Sequence, residues 1–249
     1  IARALARYRP DIVHLQNHSH FLPLFRRAAP RARLIMQVHD ELHSLLPAAP
    51  VRERLREAAA IVTPSEFVTR RLEGRMAYLA GRVHTIGNGV DAAAFRPARS
   101  EAEPRRGPMR ILYVGRVSPE KGVHTLAEAF GLLLAADEGC ELEIAGPVGL
   151  LPLSQVRLLA NDRHVAALGP FYGSGFWGAL DKQVLRARSG YREFIESVVP
   201  AGSRQRVRFL GFLPRQALLE AYHRADVLAI PSLCEEPFGL PVAEGMSCG

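Results

Sequence analysis

Asp226-Val227-Leu228-Ala229-Ile230-Pro231-Ser232-Leu233-Cys234-Glu235-Glu236-Pro237-Phe238-Gly239-Leu240-Pro241-Val242-Ala243-Glu244-Gly245 is the stretch on which the reading turns. Its first five residues form a short apolar run, as in a strand buried on both faces. Pro231 and the small residues after it end that run. From Gly239 the spacing becomes helical. The stretch therefore reads strand, loop, helix. Glu236 falls in the loop at the strand's carboxyl end, and Glu244 about two turns into the helix. Open α/β sheets bind ligands outside that edge. The free N–H groups of a helix start favour an anion such as phosphate there.

Working outward, the same alternation recurs. Short apolar runs at 11–15, 34–38, 60–63, 83–86, 111–114, 142–145, 207–210 and 227–230 read as strands. Amphipathic stretches, for example 65–79, 120–136 and 215–224, lie between them. Strands alternating with helices predict an α/β fold with doubly wound parallel sheets. A polar, charged, proline-punctuated segment at 99–108 reads as a linker. It separates a Rossmann-like domain at 1–98 from a second at 109–249. A long segment at about 147–206 reads as an insertion in the second, with helical patterns at 154–160 and 179–199. The chain opens at Ile1 inside a helical pattern and stops at Gly249 inside a motif. Both domains are accordingly read as incomplete.

The 249 residues, 48% of them hydrophobic, suffice for two modest cores. No run approaches a membrane span. Cys140, Cys234 and Cys248 are odd in number and lack metal spacing, which fits a reducing compartment and argues against structural zinc. The net charge of +7 is carried almost wholly by arginine, with Lys121 and Lys182 as the lysines. Such a surface attracts anionic substrates or an acidic membrane. Nucleic acid is disfavoured, because no basic cluster is interleaved with stacking aromatics.

Val114-Gly115-Arg116-Val117-Ser118-Pro119-Glu120-Lys121-Gly122 follows the first strand of the second domain. Two cations bracket a turn at a strand's carboxyl end. An arginine fork plus a lysine point charge neutralises a diphosphate leaving group without a metal. A plainer reading is a capped helix start, with Ser118 as the cap and Pro119 at the first helical position. The two are compatible. An ionised carboxylate at Glu236 or Glu244 accepts hydrogen bonds from vicinal diols. A solvated helical glutamate is the plainer account of Glu244, and Glu235 is the spare.

These residues resemble a family. Glu236-Pro237-Phe238-Gly239-Leu240-Pro241-Val242-Ala243-Glu244 resembles the E-x7-E motif of the GT-B glycosyltransferases, in particular retaining family 4, also called glycosyltransferase group 1. Arg116 and Lys121 match its G-R-x-x-x-x-K-G position by position. Gln37-Val38-His39-Asp40 is similar to its strand-end His-Asp. Asn88-Gly89-Val90-Asp91 and Phe95-Arg96-Pro97 resemble its N-G-V-D and F-x-P. The motifs occur in family order, and the resemblance leaves out only 147–206. It implies a GT-B fold and retaining, metal-independent transfer of a sugar from a nucleotide-diphosphate sugar. Glu236 and His39 would be catalytic. Arg116, Lys121, Phe238, Gly239, Leu240 and Glu244 would bind the donor. No cofactor or metal is implied beyond the donor itself. The acceptor would be a glycan, a lipid-linked molecule or a small molecule, in the cytoplasm or at the inner membrane face. A GT-B sugar-nucleotide epimerase and a non-catalytic nucleotide-sugar-binding module are the alternatives.

Other features weigh less. His14, His18, His20 and His43 lie near His39 in sequence, without zinc spacing. His39 itself has an ordinary loop histidine as its plainer reading. Ser65 reads as an N-cap. The basic, aromatic stretch 18–33 reads as a surface helix, with contact to anionic lipid as the alternative. Gly173-x-Gly175-x-x-Gly178 spells a dinucleotide fingerprint without the strand that would give it meaning.

Overall fold

The computed structural model describes residues 2–98, 107–136, 139–151, 168, 171 and 183–249. The chain divides into two compact units, Ile1–Gly89 and Val90–Gly249.

The first unit runs α1 (Ala2–Tyr8), β1 (Ile12–Gln16), α2 (Leu22–Ala28), β2 (Arg33–Gln37), α3 (Leu42–Leu45), α4 (Ala48–Leu55), β3 (Ala60–Thr63), α5 (Glu66–Arg75) and β4 (Val83–Thr85). Its sheet is parallel, in the order β1-β2-β3-β4. Val13 sits beside Leu34, and Met36 beside Ile61. Leu34, Met36 and Ile61 are fully buried beneath Leu55 and Leu72. Full burial of such a side chain contributes about 1.5–3 kcal/mol. Ser65 caps α5, its hydroxyl accepting the Val68 N–H at 3.4 Å. Thr69 Oγ1 lies 2.5 Å from Thr63 Oγ1 and 2.6 Å from Thr85 Oγ1, so one hydroxyl chain ties β3, α5 and β4. In the basic stretch, Arg26 pairs with Glu57 at 3.2 Å and donates to the Ala32 carbonyl at 2.9 Å. That arginine is occupied in holding α2 to its neighbours.

The second unit comprises β5 (Met109–Val114), α6 (Val123–Ala136), β6 (Cys140–Ala145), α7 (Gln183–Val198), β7 (Val207–Gly211), α8 (Arg215–Arg224), β8 (Val227–Leu228) and α9 (Leu240–Cys248). Its parallel sheet has the order β7-β6-β5-β8. The chain moves outward from β5 through β6 to β7, then returns to the other side of β5. The order thus reverses between β5 and β8, and that reversal opens a crevice at the strands' carboxyl ends. Both faces are covered. Cys140, Leu142 and Ile144 pack on Phe130 of α6 and on Tyr191 and Ile195 of α7. Leu112 and Ala145 face the other way, towards Ala221 and Tyr222 of α8 and towards Phe95. Glu143, also buried, is held by Arg208 at 3.3 Å and Arg224 at 3.5 Å. A buried carboxylate without such partners would be strongly destabilising.

The elements depart from the sequence expectations at identifiable residues. The 65–79 pattern is α5 followed by a 3-10 turn, Ala77–Leu79. The 120–136 pattern breaks at Gly122, which adopts φ +66° between a 3-10 turn at Pro119–Lys121 and α6. Only Val227 and Leu228 of the 227–230 run are strand, although the Ala229 N–H still donates to the Leu112 carbonyl at 2.8 Å. Residues 90–98, read as the end of the first domain, pack with the second unit through Phe95. Of the pattern at 179–199, Gln183–Val198 is α7, and 179–182 lie outside the described residues. The expectations for residues 99–106 and 154–160, and the glycine pattern at 173–178, lie outside the described residues. Among the described residues no helix is long and apolar enough to cross a membrane.

Candidate active site

The turn after β5 begins at Gly115, whose φ of +151° favours glycine. The Tyr113 hydroxyl donates to the Arg116 carbonyl at 2.7 Å and fixes the turn. Burial, with the nearby Glu236 charge second, pushes the Tyr113 phenol far up, so it remains a donor at neutral pH. Arg116 donates from Nε to Ser118 Oγ at 3.3 Å and from Nη2 to Glu120 Oε1 at 2.5 Å. Ser118 in turn donates to the same carboxylate oxygen at 2.7 Å. The expected role of Ser118 as a helix cap is not realised. Its hydroxyl makes no cap bond, because it faces Glu120 instead.

The loop after β8 meets this turn. Leu233 and Cys234 donate their main-chain N–H groups to the Glu120 carbonyl at 3.0 and 3.3 Å. Lys121 Nζ lies 2.5 Å from Glu236 Oε1, and Ser232 Oγ donates to the same oxygen. Both members of the Lys121–Glu236 pair are partly buried, so their attraction is less screened than at an open surface. Burial also raises the Cys234 thiol, which disfavours a thiolate beside this pair.

Gly239 ends the loop in the left-handed conformation, φ +77° and ψ +55°, and α9 follows. Because the helix starts only at Leu240, Glu244 lies little more than one turn in, not two. Tyr222 of α8 donates to Glu244 Oε2 at 2.8 Å. Burial and that contact push its phenol far up, keeping the proton on the tyrosine. Gly245 lets α9 sit close on β8, since a Cβ there would lie 2.5 Å from Leu228 Cδ2.

In the first unit, His39 follows β2. Its main-chain N–H donates to Asn17 Oδ1 at 3.0 Å, and its Nε2 is hydrogen-bonded to Gln16 Oε1. Asn17, in left-handed backbone at φ +58°, also donates to Asp40 Oδ2 at 2.8 Å. The other Asp40 oxygen accepts the Leu42 N–H at 2.9 Å. The strand-end His-Asp is therefore braced from β1. His43 is buried, and burial lowers its pKa and favours the neutral ring.

Of the expected site residues, Arg116, Lys121 and Glu236 share one pair of facing turns at the β5/β8 reversal. Phe238, Gly239, Leu240 and Glu244 lie on the loop and helix leaving the same edge. Ser232, Tyr222 and Asn17 were not singled out from the sequence. Tyr222 and Asn17 act on residues more than twenty positions away. Ser232 could have been suggested by its place four residues before Glu236 in the same loop.

Residues 95–249 match the family described as glycosyl transferases group 1. Residues 1–94 match that described as glycosyltransferase family 4. Spore coat protein SA of Bacillus subtilis is 23% identical over 264 residues, a match covering 100% of this chain and 60% of that protein. Lipopolysaccharide 1,2-N-acetylglucosaminetransferase of Salmonella typhimurium is 25% identical, over 96% of this chain and 53% of the relative. Glycogen synthase of Mycobacterium tuberculosis is 30% identical over 195 residues, 78% of this chain and 37% of the relative. The chain thus spans between about a third and three fifths of these relatives' own lengths. Among solved structures, Anabaena HepE in complex with UDP and glucose has a TM-score of 0.66 at 17% identity. That match covers 99% of this chain and 60% of HepE. Sucrose-phosphate synthase from Thermosynechococcus elongatus gives 0.65 at 21% identity, over 99% of this chain and 56% of the synthase. These likenesses establish the GT-B fold.

Proposed function

Since the chain belongs to the glycosyl transferases group 1 family, we propose that it forms part of a retaining glycosyltransferase that moves a sugar from a nucleotide-diphosphate donor. One observation carries the reading. Lys121 and Glu236, 115 residues apart, meet at 2.5 Å where the strand order reverses, with Arg116 on the same turn. Cations and a carboxylate concentrated at that edge suit a diphosphate on one side and sugar hydroxyls on the other.

In this proposal Arg116 and Lys121 neutralise charge on the departing diphosphate. The main-chain N–H groups at Phe238, Gly239 and Leu240 add to that field. Glu236 orients the transferring sugar, and Glu244, steadied by Tyr222, accepts from the ribose hydroxyls. His39 is assigned to the sugar from the family resemblance alone. Retention is assigned from the family resemblance, with the acceptor attacking on the face from which the diphosphate leaves. The test is transfer to an acceptor mixture by the full-length enzyme, across a panel of nucleotide sugars. Interconversion of the donor sugar, or saturable binding with no turnover, would replace this reading by an epimerase or a binding module.

The two glutamates are expected to separate kinetically. A ribose contact is made about equally in ground and transition states, whereas one beside the reacting sugar is not. Glu244→Gln should mainly raise the donor KM, and Glu236→Gln should mainly depress kcat. If both substitutions raise only KM, Glu236 is not at the reacting centre.

Leaving-group stabilisation by two fixed cations needs no divalent ion, and the sequence has no Asp-x-Asp to hold one. Turnover should survive dialysis against EDTA. An absolute requirement for added Mg²⁺ or Mn²⁺ would sink this leaving-group chemistry.

A further inference from the structure

We propose that Glu120 is a positioning residue for the diphosphate-binding cations, an inference that rests on the glycosyl-transfer reading above. A glutamate in a turn is ordinarily solvated, and this one is only 2% exposed. Taking a carboxylate out of water is unfavourable unless charged and hydrogen-bonding partners replace the solvent. Here the partners belong to the site itself. Arg116 and Ser118 both donate to Glu120 Oε1, and Ser118 also accepts from Arg116 Nε. The three side chains close a ring.

The ring fixes the plane of the guanidinium. Arginine has five N–H donors in a rigid fork. Ser118 takes the Nε proton and Glu120 one Nη2 proton. Neither of these contacts uses Nη1. The Arg116 side chain is 38% exposed against 2% for its partner, so the arginine is anchored on a buried group while its own side chain keeps access to solvent. An arginine held in this way loses less freedom on meeting a diphosphate than one that must be ordered at that moment.

The main chain of Glu120 acts in parallel. Its carbonyl accepts from Leu233 and Cys234, which sets the β8 loop against the β5 turn. Lys121, the next residue, then reaches Glu236. One buried residue thereby orients Arg116 through its side chain and aligns Lys121 with Glu236 through its backbone.

Glu120→Gln isolates the side-chain role, because it keeps the shape, one acceptor oxygen and the main-chain carbonyl. Of UDP, ADP and GDP, the tightest binder to the unaltered full-length enzyme is the probe, with its monophosphate as control. Titration calorimetry should show diphosphate affinity falling about tenfold in Glu120→Gln, as for loss of a charge-assisted hydrogen bond. Monophosphate affinity should change less than about twofold. In an Arg116→Ala background the same substitution should change diphosphate affinity by less than about twofold, because its target is gone. An equal loss for both ligands, or an undiminished loss without Arg116, would make Glu120 a packing residue and overturn the proposal. If Glu120→Gln does not fold, Ser118→Ala opens the same ring. A diphosphate-selective fall supports the proposal there, and no fall rejects it. Failure of the unaltered enzyme to bind any of the three diphosphates, or indifference of binding to Arg116→Ala, would overturn the glycosyl-transfer reading itself.

Discussion

Lys121→Ala should lower turnover of the full-length enzyme by about 10²-fold or more, the loss seen when one preorganised transition-state donor is removed. Two effects act together. The departing diphosphate loses a point charge, and Glu236 loses the ammonium 2.5 Å from its carboxylate. The remaining carboxylate, partly buried beside Ser232, would repel the same leaving group. Arg116→Lys should also be costly, because a point charge cannot reach Ser118, Glu120 and a phosphate at once as the fork does. Measuring kcat at saturating donor separates these losses from weakened binding. Near-normal turnover in either variant would remove the assignment of the pair to the leaving group.

The second large effect is expected at Gly122. Its φ of +66° lies in the left-handed region, and a Cβ placed there would sit 2.0 Å from the Pro231 carbonyl oxygen and 2.9 Å from its carbon. Left-handed backbone costs an L-residue about 1 kcal/mol, and the contact is with backbone, which cannot swing aside. Gly122→Ala should therefore destabilise the second unit by about 2–4 kcal/mol. That corresponds to a fall of roughly 5–15 °C in its thermal midpoint. The turn must separate from the β8 loop to admit the methyl, so donor affinity should fall too. Gly190 provides the control. It lies in α7, where an added Cβ would meet nothing within 4 Å and φ is not positive, and alanine there should be neutral or slightly stabilising. Equal midpoints for the two variants would show that the turn yields without cost.

What could be read in advance followed the range of each interaction. Strands announce themselves as apolar runs, and every run named above contains or overlaps one, although Ile12 in β1 and Val227 in β8 are exposed. The helix of 215–224 was legible to the residue, since α8 ends where its amphipathic pattern does. Breaks were harder. Gly122 interrupts a continuous helical pattern because its conformation answers to Pro231, more than a hundred residues on. The polar composition at 99–108 suggests a boundary there, but the packing of Phe95 against Tyr222 draws 90–98 to the second unit, and composition carries no sign of that contact. Within the candidate site, Arg116, Lys121, Glu236 and Glu244 stand out by their match to the family's motifs, since a helix cap and a solvated glutamate account for the same residue types and spacing. Tyr222 does not stand out, because a tyrosine in an amphipathic helix reads as core, and its hydroxyl's partner lies across a strand and a loop. Ser118 was legible only in part. Its position suits a cap, and only the buried Glu120 shows why its hydroxyl turns elsewhere.

The hold of the Glu120 carbonyl on Leu233 and Cys234 bears on how this edge drifts over generations. A bond between main-chain groups is indifferent to the side chains that carry them. These two bonds survive exchange of the Leu233 and Cys234 side chains, and only proline, which has no N–H to give, removes one outright. Divergence can therefore accumulate at 233 and 234 while Lys121 and Glu236 keep their distance. A comparison of aligned letters would score those two positions as expendable, and the fold would still depend on their backbones.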